Sequence, residues 1–135
     1  MTAGRRKRGT VLLFAVAAVV LVTTLATALT VVAVNVSRAA RRAELDARLL
    51  NTAESGAEVA LHRLAGSGGR TRSSTVSVPG GRARLSFRGL PGGKWLVTSN
   101  ASAGGMSRQV RITARLAGMK TFRVLAWESS RRNSP

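Results

Sequence analysis

Cysteine is absent from this chain of 135 residues, which excludes disulfides, thiolate metal sites and a cysteine nucleophile. Acidic residues are scarce: Glu44, Asp46, Glu54, Glu58 and Glu128 stand against 22 lysines and arginines, for a formal net charge of +17. His62 is the single histidine and follows Glu58 by four positions, the spacing of a surface pair on a helix. A general base would also need a nucleophile and a pocket around it. Glu54 and Glu58 share a helix face, yet two carboxylates fall short of the roughly six oxygens that calcium takes. The glycine-rich pieces Gly89 to Gly93 and Gly104-Gly105 lack the pattern of a phosphate-cradling loop and read as turns. No catalytic residue, metal site or cofactor is expected, and the chain is expected not to be an enzyme.

A second set of absences organises the first third. Thr10 to Val36 contains no charge, proline or glycine. This run of about 27 residues spans ~40 Å as a helix, more than the ~30 Å hydrocarbon core of a bilayer. A cleaved secretory signal would have an apolar region of only ~7–15 residues and a small-residue cleavage site. A single membrane-spanning helix is therefore predicted. Thr23, Thr27 and Thr30 would form a narrow polar seam on it, suited either to packing against neighbouring helices or to bonding back onto their own helix.

Proline is missing before Pro79, and glycine between Gly9 and Gly56, so the helix is predicted to continue from about Thr10 to Ala65. Beyond Val36 it becomes amphipathic, with Val36, Ala40, Ala43, Ala47, Leu50, Ala53, Ala57, Leu61 and Leu64 forming one apolar stripe. Asp46 and the other charges are expected largely off that stripe, with Glu44 and Arg48 paired at i,i+4. Gly66 to Gly69 should end the helix.

Thr75–Val78, Arg82–Arg88, Lys94–Asn100 and Met106–Leu116 read as strands of an antiparallel meander, separated by glycine- and proline-rich turns. Thr121 to Trp127 is a further candidate strand, and Glu128 to Pro135 reads as a frayed polar tail. Ala83, Leu85 and Phe87 oppose Arg82, Arg84, Ser86 and Arg88, and Val110, Ile112, Ala114 and Leu116 oppose Arg111, Thr113 and Arg115, giving one apolar and one cationic face. The apolar face, with Trp95 and Phe87, has only the helix stripe to pack on. The fold class is therefore α+β, a long N-terminal helix with a small antiparallel sheet on its C-terminal half. Its regions are 1–9, a basic leader; 10–36, the membrane half; 37–65, the amphipathic half; 66–127, the sheet; and 128–135, the tail.

The basic leader Arg5, Arg6, Lys7, Arg8 and Gly9, followed by the apolar run from Thr10, resembles a prepilin leader. The segment Asn51 to Leu64, with Glu54, Ser55 and Gly56, resembles the helix signature of PilX-type minor type IV pilins and pseudopilins. Trp95 to Ala114 resembles the hairpin that follows it. The resemblance implies a pilin-like fold, cleavage by a prepilin peptidase between Gly9 and Thr10, and other pilins or pseudopilins as partners. It also implies insertion in the inner membrane with the N-terminus cytoplasmic and the head outside, before entry into a filament of a type IV pilus, a type II secretion system or a DNA-uptake apparatus. Major pilins carry glutamate as the fifth mature residue, where this chain has Phe14, and that departure favours an initiating or tip position over a repeating one.

The alternative is a membrane-tethered basic domain that binds DNA or anionic lipid without sequence preference. Arg82, Arg84, Arg88, Arg108, Arg111 and Arg115 form the candidate anion-binding face, which lacks the aromatic residues that stack on bases.

Overall fold

The computed structural model describes residues 3–118 and 121–133, with side chains described for 9–118 and 121–131. Helix α1 spans Ala3–Ser67, followed by β1 (Ser74–Val78), β2 (Gly81–Leu90), β3 (Lys94–Ala103), β4 (Met106–Leu116) and β5 (Phe122–Asn133). The fold is α+β, as the residue patterns imply. The chain divides into two compact units, Met1–Arg41 and Arg42–Pro135.

In the first unit, α1 begins before the expected Thr10, because the leader contains no proline and its arginines and lysine, good helix formers, outnumber Gly4 and Gly9. From Gly9 to Arg41 every residue is exposed, including Val11, Leu12, Leu13, Phe14 and the valines beyond. The helix is long and apolar enough to cross a membrane. Its threonines bond back onto the helix. Thr27 donates to the Thr23 carbonyl at 2.7 Å and Thr30 to the Ala26 carbonyl at 2.8 Å. Thr23 donates to Val19, and Thr24 to Val20 and Leu21. Each hydroxyl is thus satisfied on its own helix.

In the second unit, residues 42–67 of α1 pack against the apolar face of a meander ordered β1-β2-β3-β4-β5, antiparallel throughout. Buried between them are Leu49, Ala53, Ala57, Ala60 and Leu64 from the helix and Val76, Ala83, Leu85, Val97, Ala101, Val110, Ile112 and Ala114 from the strands. Trp95 and Phe87 pack at the margin of this core, as their alternation implies. The buried stripe is rotated from the expected one. Ala43 and Ala47 are exposed and Leu50 and Leu61 half-buried, while Leu49, Thr52, Gly56 and Ala60 face the sheet. Apolarity alone misplaces the stripe because the contact selects small residues over large ones along its centre.

The helix runs two residues past Ala65. Gly68, at φ 58°, takes the left-handed turn, and the Gly69 amide donates to the Leu64 carbonyl at 3.3 Å, closing a Schellman-type end. Between β3 and β4, Gly104 and Gly105 have φ 56° and 76°, so the two-residue turn matches the twist of its strands at a position where side chains would strain it.

The strands exceed their expected limits. β2 reaches Leu90, β3 reaches Ala103, and β5 covers Phe122–Asn133, absorbing Glu128 to Asn133 of the expected polar tail. β4 offers ladder bonds along its whole length, and Met106 pairs as far out as Asn133. Backbone pairing does not depend on side-chain polarity, so the polar sequence gives no sign of where the strand ends.

Candidate functional site

The signature Glu54, Ser55 and Gly56 sits in the centre of the helix–sheet contact. Gly56 is buried and Glu54 and Ser55 are half-buried beside it. A Cβ at Gly56 would stand 2.5 Å from the Ala83 Cβ and 2.5 Å from the Ser99 Oγ, so the absence of a side chain sets how closely helix and sheet approach. The signature is thus a packing device in this chain. The fully buried Ser99 hydroxyl directly beneath has no hydrogen-bond partner.

Nearly three turns before Gly56 on the same helix lies an ion-pair cluster that the residue pattern alone places elsewhere. Asp46 accepts a hydrogen bond from the Arg108 Nε at 2.7 Å, a second from the other arm of the same guanidinium, and a third from Arg131. Asp46 and Arg108 side chains are only 15% and 19% exposed. The hydrogen bonds from Arg108 and then Arg131 hold the Asp46 carboxyl well below the usual carboxylate range, against a smaller opposing effect of burial. The same bond raises the Arg108 pKa. Arg108 is therefore withdrawn from the anion-binding face to which it was assigned. The signal was present in both elements: Arg108 has the parity of Val110, Ile112 and Ala114, and Asp46 precedes Leu49, Ala53, Ala57 and Ala60 at helical intervals.

The five remaining arginines, Arg82, Arg84, Arg88, Arg111 and Arg115, are exposed on the opposite face. They do not form one patch. Arg82 and Arg84 line a hollow of about 350 Å³ with Thr75, Asn100 and Ser102. At the far end, Lys94 pairs with Arg115 and Arg115 with Arg123, a cationic row across three strands that adds two residues to the face. Arg88 stands opposite Leu96, and Arg111 stands between Thr98 and Glu128.

The other candidates are dispersed. Glu44 and Arg48 form the expected i,i+4 pair at 3.8 Å, fully on the surface. Glu58 and His62 are exposed. Among the described residues no group of three histidines or acids is placed to hold a metal. Gly9 and Thr10 are exposed on α1, while the side chains of Arg5, Arg6, Lys7 and Arg8 lie outside the described residues. No family model matches the chain, and no curated protein or solved structure does.

Proposed function

We propose that this chain is a minor pilin or pseudopilin of the PilX type, a non-enzymatic component of a type IV pilus, type II secretion or DNA-uptake filament that acts at initiation or at the tip. The observation that carries this reading is the course of α1, which continues from a fully exposed apolar segment into the helix that supports the meander. The apolar segment resides in the cytoplasmic membrane with the basic leader inside and the sheet outside. A prepilin peptidase cuts between Gly9 and Thr10, and the released helix is drawn into a bundle of similar helices. Small and β-branched residues along α1 suit helix–helix packing in a medium where apolar burial gives no driving force.

Phe14 supports a position occupied once or a few times per filament. A subunit lacking a carboxylate there cannot pair with the amino terminus of a neighbour, and an unpaired charge within an apolar bundle is costly. The exposed arginines favour one other reading, a membrane-tethered domain that binds nucleic acid or anionic lipid on the cytoplasmic side. Topology separates the two. A reporter active only outside the cytoplasm, fused after Pro135, is expected to be active; activity of a cytoplasm-only reporter at the same position would overturn the pilin reading.

A further inference from the structure

The two edges of the sheet differ. β1 is a five-residue edge, too short to template much pairing. β5 is a twelve-residue edge paired on one side by β4 and, among the described residues, by no strand on the other. It contains no proline and no lysine, and its single irregularity is a bulge at Leu125, between the Thr113–Ala126 and Ala114–Val124 pairs. Val124, Leu125 and Trp127 are 45%, 46% and 44% exposed, a concentration of apolar surface along one unpaired backbone edge. Beside it, Phe122 and Val124 line a groove of about 320 Å³ with Leu61, His62 and Ala65 of α1.

We propose that the free edge of β5 accepts an extended strand from a different, acidic subunit, one that turns apolar side chains to the helix side and a carboxylate to Arg123. The inference rests on the pilin reading for the kind of partner and on the edge itself for the mode of contact. An added strand bonds to the outward amides and carbonyls of β5. On the helix side its side chains meet Val124 and Trp127, which requires apolar residues. On the outer side they meet Arg123, backed by Arg115 and Lys94 in the same row, which calls for a carboxylate at that end, before Ala126 and Glu128 further along. A second copy of the chain is the wrong occupant. Its net charge is +17, so two copies brought together at this edge repel one another as whole molecules.

The test uses the full chain in detergent micelles and an alternating glutamate–valine decapeptide as the probe. A lysine–valine decapeptide controls for charge, and a glutamate–valine peptide N-methylated at alternate residues controls for ladder formation. The glutamate–valine peptide is expected to bind at least tenfold more tightly than either control. It should slow amide exchange at least tenfold in β5 while leaving β1 unchanged. The pair Val124→Lys and Trp127→Lys should weaken binding at least tenfold with exchange in β2 to β4 unaltered. Equal binding of the two charged peptides, unchanged exchange in β5, or a dimer formed through β5 without peptide would each overturn the proposal. Cleavage after Gly9 does not involve β5. A correctly processed chain that ignores the peptide overturns this inference alone, and an unprocessed chain that binds it overturns the pilin reading alone.

Discussion

A methyl group at Gly56 has no room, because 2.5 Å from its place stand the Ser99 hydroxyl and the Ala83 Cβ, and the latter is fixed to its strand and cannot turn aside. Gly56→Ala is therefore expected to separate helix from sheet and destabilise the head by about 1–3 kcal/mol, read as a lower Tm for the strand signal in circular dichroism. The gain in helix propensity from the same change is at most about 1 kcal/mol and does not offset it. Asp46 gives a pH-dependent prediction. Its folded pKa lies below its unfolded value of about 3.9, so its contribution is complete above that value and is lost as pH falls through the folded pKa. The Tm of Asp46→Asn should lie below that of the wild type by a constant margin from pH 7 to about pH 5, and the margin should narrow below about pH 4. A margin that grows on acidification would contradict the ion-pair assignment. Gly56 stood out in the sequence only as part of a helix signature, without its packing role, and the role of Asp46 was hidden because a charged residue at a core-phased position is ordinarily read as solvated. Only the matching parity of Arg108 could have paired them.

At the scale of elements, the four strand cores and their turns follow from alternation and glycine placement, and Met106–Leu116 coincides with β4 end to end. The stripe on α1 did not follow as well. Thr52, Gly56 and Ala60 contribute little apolar area, yet a close helix–sheet approach prefers them, and that preference depends on a contact the sequence does not display. The consequence is measurable. Leu49→Asp buries an unpaired charge against the sheet and should cost about 3–5 kcal/mol, a large share of the stability of a small domain. Ala47→Asp, on the exposed side of the same turn, should stay within about 0.5 kcal/mol. Thermal melting of the full chain in detergent distinguishes them, and comparable melting temperatures would show the stripe to be misplaced. β5 was half legible, since Thr121 to Trp127 has strand composition while Glu128 to Asn133 is held by pairing to β4 and by Arg131 on Asp46.

For the whole molecule, a basic leader, an apolar helix and a meander stand in one chain, and the function proposed above rests on their combination. Every residue of α1 from Gly9 to Arg41 is exposed, and the proposed course, a membrane followed by a bundle of like helices, would cover such a surface in both states. The central claim is that the leader is a processing signal and that Thr10 begins the working protein. Mass analysis of the amino terminus of the membrane form, taken from cells with an active prepilin peptidase, tests it most directly. The expected result is a chain beginning at Thr10, with Gly9→Val leaving the leader in place; a wild-type chain still beginning at Met1 would contradict the account.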